Sequence, residues 1–502
     1  MEQSGGRTEP SLRARRLGVR RIATEKAVSA NIRHLALTMS VLFLLVSLGV
    51  GYWQIVRADE LSSDGYNPRL YSEAAKRERG KIVDRDGTVI AHTENQNGTL
   101  RRVYASPLYE PFIGYATLAF GAAGLEATYA SSLIGEDPAD PIGAIRHRYL
   151  GESAPPGSVR LALSAKLEDA AAKALGQRKG AIIALDPKTG AILASVSFPR
   201  YDPNPLTDAS TQRQAFEGLN NDQGHPLVDR AVSGLYPPGS TFKLVTGAAA
   251  LELGLDPNKE VRVDSPWKGD PSWGNYSVPS PTNAHRNFNL RDAYAFSENI
   301  YFAMAAVNVV HGDRLVDYAK RFMIGQPLGL DGPYSKTQLS NSGQLDRPTL
   351  VAATGFGQGE LLISPLQMAL ITSAVAEGGV MPTPHYALDV RDGSGKVVRT
   401  VQPGPLANPI RAETAKLITS DLVFAVEGPG AFAYPAAIPG VHVAGKTGTA
   451  ENPQGTPHGW FVGFAPAENP TIAVAAVVEN AENGGLDAAG VGGQVMRSWL
   501  GK

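Results

Sequence analysis

Ser240 and Lys243 are a pair of residues whose chemical types and spacing suggest catalysis. Residues three apart share one face of a helical turn, so the lysine amine would lie beside the serine hydroxyl. A serine is a weak nucleophile until a neighbour takes its proton. A lysine does this only where burial or another cation lowers its pKa from about 10.4 towards neutrality. The pair therefore predicts a serine nucleophile that has its own base.

The surrounding sequence predicts a helix that positions this pair. Pro237–Gly239 form a rigid approach, and Ser240 takes the N-cap or first-turn position. Apolar residues recur at helical spacing through Leu251, and Gly254 and Pro257 end the pattern. The hydroxyl would thus lie at the positive end of the helix dipole.

Two later motifs would assist that serine. Ser297-Glu-Asn299 interrupts a helical pattern over Arg291–His311, so a turn there would present a hydroxyl and a carboxamide. Lys446-Thr-Gly448 with Thr449 is predicted to end the strand Val441–Gly445.

Side chains along an extended segment alternate between its faces. Lys446 and Gly448 should therefore point one way, and Thr447 and Thr449 the other. The glycine would let another part of the chain approach closely.

Each short motif also occurs elsewhere by chance. Ser265-Pro-Trp-Lys268 runs into Gly269-Asp-Pro with no helix after it, Ser29-Ala-Asn31 precedes an apolar segment, and Lys188-Thr-Gly190 fits a hairpin turn. The evidence is the ordered set Ser-x-x-Lys, Ser-x-Asn and Lys-Thr-Gly, each in a suitable structural context.

Composition excludes several other classes of function. The 502 residues allow two to four domains, and a net charge of −1 gives no reason to expect a nucleic-acid partner. There is no cysteine, and the nine histidines show no H-E-x-x-H pair, so we expect no bound metal. No G-x-S-x-G elbow is present, which argues against a Ser-His-Asp hydrolase.

The N-terminal residues predict a membrane anchor. Residues 1–34 are polar and basic, and we expect a disordered cytoplasmic tail. Leu35–Val56 carry no charge over a length that spans a bilayer. Because the basic flank precedes the span, the N-terminus should be cytoplasmic and the rest extracytoplasmic, in a single-pass protein of the cell membrane.

Two further domains are predicted after the anchor. Residues 57–155 form a small mixed module with a hairpin turn at Asp84–Gly87, followed by a linker at Gly151–Gly157. Residues 156–502 have strand patterns at both ends and helical patterns between them, which predicts one α+β domain whose sheet joins the two ends.

The motifs together resemble a known family, the class B penicillin-binding proteins, which are monofunctional D,D-transpeptidases. The similar segments are Arg79–Arg85, Ala184–Gly190, Tyr236–Lys243, Ser297–Asn299, Gly355–Gly359, Ser364–Gln367 and Ala444–Ala450. The first module is most similar to that of actinobacterial members. The resemblance implies a β-lactamase/transpeptidase-like fold, with an antiparallel sheet flanked by helices and an all-helical subdomain.

The resemblance also implies roles for the site residues. Ser240 would be the acylated nucleophile, Lys243 its base, and Ser297 the relay of a proton to the leaving D-alanine. The backbone N–H groups of Ser240 and Thr449 would form the oxyanion hole. The implied substrate-binding residues are Asn299, for the donor peptide backbone, and Lys446, Thr447, Gly448 and Thr449, for the terminal carboxylate.

One position departs from the family pattern, and three charged residues near the motifs are not expected to be catalytic. Asp229-Arg-Ala231 stands where the family often has Asn-Arg-Ala, a change that could alter the approach to the site. We expect Arg230 to be structural, Glu298 to be solvated, and Glu360 to pack against or cap the next helix.

The implied partners are peptidoglycan stem peptides ending in D-Ala-D-Ala, β-lactams and the cytoplasmic membrane. No domain of glycosyltransferase size is evident, so a glycosyltransferase or another divisome or elongation protein is expected as a partner. The first module would hold the catalytic domain away from the membrane and contact such partners. No cofactor is implied.

Other functions stay open at this point. A D,D-carboxypeptidase or a serine β-lactamase would use the same nucleophile. No E-x-x-L-N element of the class A β-lactamases occurs between Ser297 and Lys446, although a lysine-activated deacylation would not need one. A catalytically silent cell-wall scaffold or a β-lactam sensor is the alternative from another class.

Overall fold

A computed structural model describes residues 12–52, 77–96, 98–136, 155–452 and 455–502, without the side chains of 12–30 and 51. It divides into two units, Met1–Leu70 and Tyr71–Lys502. Each unit is described by itself.

The first unit contains one long helix, α1 (Leu12–Gly51). The expectation of a disordered tail is therefore wrong for residues 12–34, which are helical. Within α1, the 20 residues Asn31–Val50 are apolar enough to cross a membrane, and a helix of that length measures about 30 Å. All their side chains are exposed, as a lipid-facing helix requires. The end of the predicted span, residues 53–56, lies outside the described residues.

The second unit contains both α-helices and β-strands. The helices, in chain order, are α2 (Gly124–Thr128), α3 (Ala130–Leu133), α4 (Ala165–Leu175), α5 (Gln212–Asn221), α6 (Lys243–Glu252), α7 (Leu290–Ala295), α8 (Asn299–Ala305), α9 (Gly312–Arg321), α10 (Pro348–Gly355), α11 (Pro365–Ala376), α12 (Ala412–Glu427) and α13 (Gly485–Trp499). The strands are β1 (Ile82–Val83), β2 (Val89–Gln96), β3 (Thr99–Tyr104), β4 (Ala116–Thr117), β5 (Gly121–Ala122), β6 (Ser158–Leu161), β7 (Gly180–Leu185), β8 (Ile192–Phe198), β9 (Val261–Asp264), β10 (His285–Phe288), β11 (Met381–Pro382), β12 (Ala387–Arg391), β13 (Val397–Thr400), β14 (Pro405–Ala407), β15 (Ala444–Asn452), β16 (Gly455–Ala465) and β17 (Ile472–Val478).

A five-stranded antiparallel sheet in the order β15-β16-β17-β7-β8 forms the centre of this unit. Early strands β7 and β8 join late strands β15–β17, which confirms the prediction that the two ends of the domain share a sheet. Helices α4 and α13 contact one another and the sheet, and α11 and α12 also pack on it. Helices thus cover both faces, so every residue of β7 and β17 is buried.

The helical part of the predicted fold lies beside this sheet. Helix α6 packs against α8 and α9, and α8 packs against α10. Apolar side chains of these helices and of the segments next to them, including Phe242, Tyr294 and Phe302, are fully buried in one core. An antiparallel sheet flanked by helices, together with a helical part, confirms the predicted α+β class.

A second sheet connects the small module to the large domain. Its order is β13-β12-β6-β1-β2-β3, and β1 pairs with β6 in parallel. Strands from both sides of the predicted boundary at residue 155 therefore share one sheet, and the boundary itself stays a prediction. The predicted turn at Asp84–Gly87 does join β1 and β2, and Asp84 accepts hydrogen bonds from the N–H groups of Asp86 and Thr88. Of the predicted linker, residues 151–154 lie outside the described residues.

The strand that carries Lys446 differs from its prediction. It was expected to end at Gly445, but β15 begins at Ala444 and continues to Asn452, so the Lys-Thr-Gly motif lies within it. The reason is pairing: β16 offers a partner to nearly every residue of β15, including Trp460 for Gly448. Composition gives no sign of this, because Lys446–Asn452 lack an alternating apolar pattern.

Candidate active site

The nucleophile lies in a tight turn that opens α6. Gly239–Phe242 form a 3₁₀ turn, and Ser240 is 8 % exposed. The Gly239 N–H donates to the carbonyl of Gly357 over 2.9 Å. A Cβ on Gly357 would lie 1.8 Å from the Gly239 oxygen, so only glycine permits this close contact. The glycine-rich segment after α10 thus supports the turn that holds Ser240.

Lys243 is fully buried, and its amine lies where three polar groups converge. Lys243 Nζ is 2.9 Å from Ser240 Oγ, 2.7 Å from the Ser297 carbonyl oxygen and 2.8 Å from Asn299 Oδ1. Burial lowers its pKa well below the usual value, the nearby Lys446 lowers it further, and Glu298 acts in the opposite direction. A neutral amine has two N–H donors, which the two carbonyl oxygens accept. Its lone pair then faces the serine hydroxyl, as a base requires.

Ser297 lies in the break between α7 and α8. Its backbone has φ +54°, a left-handed conformation that is uncommon for a residue other than glycine. Such a conformation costs about 1 kcal/mol or more and persists where neighbouring contacts impose it. Here the Ser297 N–H donates to the Tyr294 carbonyl, and the Ser297 carbonyl accepts from Lys243. These contacts direct the Ser297 hydroxyl towards both lysines.

Glu298 holds the other side of this turn, and the expectation that it is solvated is wrong. Its side chain is 0 % exposed. One oxygen caps α8 by accepting from the Ile300 N–H at 3.0 Å, and the other accepts from the Ser280 hydroxyl at 2.6 Å. Glu298 was not predicted as a site residue, because its burial depends on the segment that carries Ser280.

Lys446 reaches the site from β15 and is also buried. Its Nζ donates to Ser297 Oγ at 2.8 Å and to the Thr447 carbonyl at 2.9 Å. Burial lowers the pKa of Lys446 to about 7. Ser297 Oγ is also 3.4 Å from Lys243 Nζ, so this hydroxyl connects the two amines.

The remaining predicted substrate-binding residues line one cleft beside Ser240. Its volume is about 970 Å³, and Asn299, Thr447, Gly448 and Thr449 all border it. Asn299 Nδ2 donates to the Pro279 carbonyl at 3.2 Å. The Thr449 hydroxyl accepts from the Gly485 N–H at 3.3 Å.

Close contact between β15 and the nucleophile turn depends on Gly448. A Cβ there would lie 2.9 Å from the Pro238 oxygen and 3.0 Å from Thr241 Cγ2. Trp460, opposite Gly448 in the sheet, donates from its indole N–H to the Pro237 carbonyl at 2.9 Å. The sheet edge is thereby fixed to the turn that presents Ser240.

The cleft has further walls that sequence reasoning did not identify. Tyr276, Gln358 and Phe432 line it; Gln358 lies in the similar segment Gly355–Gly359, and no short motif marks the other two. Within the described part of the chain, no cluster of three or more His, Asp or Glu side chains could hold a metal ion.

Two positions noted in the sequence have structural contacts outside this cleft. Arg230 Nε pairs with Glu479 at 3.0 Å and its guanidinium donates to the His225 carbonyl, which agrees with a structural role. Glu360 accepts from Arg347 at 2.7 Å and from the Asn341 N–H at 2.9 Å. It does not cap the next helix, α11, because Ser364 does so.

Comparison with known protein families gives two matches. The family model described as the penicillin binding protein transpeptidase domain matches residues 180–497. The model described as the penicillin binding protein A dimerisation domain matches residues 79–159.

Individual proteins are similar over three quarters or more of the chain. The peptidoglycan D,D-transpeptidase PbpA of Mycolicibacterium smegmatis is 31% identical over 495 residues, which cover 93% of this chain and 98% of that protein. The peptidoglycan D,D-transpeptidase MrdA of Acinetobacter baumannii is 30% identical over 76% of this chain and 60% of its own length. The imipenem acyl-enzyme complex of penicillin-binding protein A from M. tuberculosis superposes with a TM-score of 0.77 at 29% identity, covering 86% of this chain and 100% of that one.

Proposed function

This chain belongs to the family of penicillin-binding protein transpeptidases, and on that premise we propose that it is a peptidoglycan D,D-transpeptidase with Ser240 as its nucleophile. The observation that supports this most strongly is the buried Lys243 amine, 2.9 Å from Ser240 Oγ. Its two other close contacts are carbonyl oxygens, which leaves its lone pair for the serine proton.

In the first step, Ser240 attacks the carbonyl carbon of the penultimate D-alanine in a donor stem peptide. The hydroxyl proton passes to Lys243 Nζ as the Oγ–C bond forms. The amide C–N bond then breaks, and Ser297 Oγ delivers a proton to the departing D-alanine nitrogen while it takes up the proton that Lys243 received, so that Lys243 is neutral again. Ser297 suits this relay because its hydroxyl lies within 3.4 Å of both lysine amines.

In the second step, an acceptor amine attacks the ester carbonyl of the acyl-enzyme. The new amide bond forms, the bond to Ser240 Oγ breaks, and the amine's proton returns to Ser240 through Lys243. This sequence regenerates the enzyme and needs no cofactor.

Substrate binding is assigned to residues that border the cleft and to Lys446, which is buried beside them. Lys446 supplies positive charge for the terminal carboxylate, and Thr447 and Thr449 donate hydroxyl hydrogen bonds to it, while Gly448 allows the strand to approach the nucleophile turn. Asn299 uses Nδ2 for the donor peptide backbone, since Oδ1 already accepts from Lys243. The backbone N–H groups of Ser240 and Thr449 stabilise the oxyanion.

β-Lactams would acylate the same serine, because their strained amide and carboxylate mimic the D-Ala-D-Ala end. The M. tuberculosis relative has been seen as acyl-enzymes with imipenem and with penicillin G. Those complexes support an acyl-serine mechanism here.

The location and protein partners of the enzyme are part of the same proposal. The apolar part of α1 anchors the chain in the cytoplasmic membrane, with the basic N-terminus in the cytoplasm and the catalytic domain outside. A separate glycosyltransferase, within a division or elongation complex, supplies the glycan strands. The module at residues 57–155 is the proposed contact surface for it.

The proposal is tested by labelling the full-length chain, in detergent micelles, with a fluorescent penicillin. Wild type should form a stable adduct and Ser240→Ala none. Ser265→Ala, in the second Ser-x-x-Lys sequence, is the matched control and should label normally. Rapid loss of the label from wild type would indicate a hydrolase, and absence of label on properly folded wild type would contradict the assignment.

A further inference from the structure

A second cavity in the Tyr71–Lys502 unit has a different chemical character from the catalytic cleft. Its volume is about 620 Å³, within the range of small-molecule sites. None of its lining residues lines the cleft beside Ser240. Five aromatic rings and one charged side chain are among the described lining residues: Phe112, Tyr115, Tyr201, Phe216, Tyr386 and Asp229.

The aromatic walls are ordered by their mutual contacts. Phe112 stacks on Tyr386 with ring centroids 5.6 Å apart. Phe216 meets Tyr115 edge to face at 6.3 Å and stacks on Phe120 at 4.1 Å. Rings held in this way present their faces and edges to the cavity without a ligand having to arrange them, which lowers the entropic cost of binding.

The charge of Asp229 is not needed for its local structural role. Its carboxylate accepts hydrogen bonds from the N–H groups of Ala231 and Val232 in the following turn. The amide oxygen of an asparagine would accept the same bonds. The chain thus has a carboxylate where a neutral amide would satisfy the backbone equally well.

None of the described residues that line the cavity carries a positive charge to pair with this carboxylate. The ionisable groups that influence it are Arg230, Glu110, Glu168, Tyr236 and Tyr386. Burial raises the pKa of Glu168 to about 8 and that of Glu110 well above its usual value, and it raises the tyrosine pKa values too. Glu168 is therefore mostly uncharged at neutral pH, and burial opposes the charged form of the other three. Arg230 is paired with Glu479. Asp229, whose pKa burial raises to about 6, is ionised at that pH.

We propose that this cavity is a binding site for a small organic ammonium ion. The positive charge would lie beside the Asp229 carboxylate, and the carbon atoms bonded to nitrogen would lie against the aromatic rings. Aromatic rings attract cations through their quadrupole, and the attraction strengthens where water is excluded. An anion would be repelled by Asp229, and a neutral apolar molecule would leave that carboxylate desolvated and unpaired.

The test uses choline as the cation and 3,3-dimethyl-1-butanol as its neutral isostere, titrated into the full-length chain in phosphate buffer. Choline should bind at least about tenfold more tightly than the alcohol, as expected when a cation–π and charge contribution is added to equal apolar contact. Saturation-transfer NMR or calorimetry measures both. Protein previously acylated with penicillin should give the same result, because the catalytic cleft is then filled.

Asp229→Asn is the matched variant, since it keeps the backbone hydrogen bonds and removes only the charge. It should weaken choline binding about tenfold and leave the alcohol unchanged, and Phe216→Ala should weaken both. Asp346→Asn, which removes an exposed carboxylate elsewhere, should change neither. Wild-type choline affinity should also fall as the pH drops below about 6, where Asp229 gains a proton. Equal binding of choline and the alcohol, or choline binding that survives Asp229→Asn, would overturn the proposal. Penicillin labelling, measured in parallel, reports separately on the transpeptidase assignment.

Discussion

The burial of Lys446 predicts a loss of reactivity towards anionic ligands at alkaline pH. Its pKa falls from 10.5 to about 7, which corresponds to about 5 kcal/mol against the charged form in the empty site. Below pH 7 the amine is a cation and attracts the carboxylate of a penicillin or a stem peptide. Above pH 7 the charged fraction falls, so the second-order rate constant for acylation should fall about tenfold per pH unit.

The loss should appear in binding rather than in the chemical step. A bound carboxylate favours the ammonium form and raises the pKa of Lys446 again. The acylation rate at saturating penicillin should therefore vary less with pH than the second-order rate constant. Rapid-quench labelling of the full-length chain with fluorescent penicillin, at several concentrations and at pH values from about 5 to about 9, separates the two quantities.

Lys446→Arg provides the comparison, because a guanidinium stays charged over this range. Its overall rate should be lower, since a planar group replaces a compact ammonium beside Ser297, but the alkaline decline should be absent. A wild-type rate constant that stays level up to about pH 9, or a decline that the arginine variant shares, would refute the reasoning.

Three further predictions concern the supports of the site and the second cavity. Glu298→Ala removes the cap of α8 and a buried hydrogen-bond acceptor. It should lower the free energy of unfolding by about 2–4 kcal/mol and slow penicillin labelling about tenfold or more. Glu298→Gln should retain most of the wild-type stability and most of the labelling rate. Gly357→Ala places a methyl group against the Gly239 carbonyl and should abolish labelling. Gly87→Ala is the control, because its φ of +91° is close to the +86° of Gly357 and there is open space around it; it should lower the free energy of unfolding by about 1–2 kcal/mol and leave labelling unchanged. Asp229 has a folded-state pKa of about 6 against an ordinary 3.8, so the folded state holds the extra proton and wild-type stability falls as the pH rises through this window. Near pH 8 the free energy of unfolding of Asp229→Asn should therefore exceed that of wild type by up to a few kcal/mol, and this difference should disappear near pH 4. An equal difference at both pH values would contradict this.

Local patterns in the sequence were sufficient to predict the elements that carry Ser240 and Ser297. The Pro-Pro-Gly approach and helical spacing placed Ser240 in a first turn, and the structure has a 3₁₀ turn leading into α6. The interruption at Ser297 was visible as a polar triplet in an apolar run. The spacing of residues along the chain could not predict that the motifs meet in space, since the 2.8 Å contact between Ser297 and Lys446 joins residues 149 apart. Only the family resemblance brought those motifs together before the structure did.

Two of the errors have a common physical origin, because each depends on contact with a segment that the local pattern does not include. Glu298 looked like a solvated carboxylate because its burial requires Ser280. Strand β15 was predicted to end before Lys446 because the pairing partner that extends it, β16, contributes nothing to the local pattern. Asp229 was noted only as a departure from the family, and its aromatic surroundings come from segments more than 100 residues away, such as Phe112 and Tyr386.

The joining of early and late strands in the central sheet also sets the order of events during biosynthesis. Leu185 in β7 pairs with Ala473 in β17, so that pairing cannot form until almost the whole chain has been synthesised. Contacts of such long range make folding slow, and they leave the apolar faces of β7 and β8 uncovered in the growing chain. Ser240 likewise emerges about 200 residues before Lys446, in a segment that has no sheet edge to dock against. The nascent chain therefore remains catalytically incompetent and dependent on protection from aggregation until its C-terminal strands arrive.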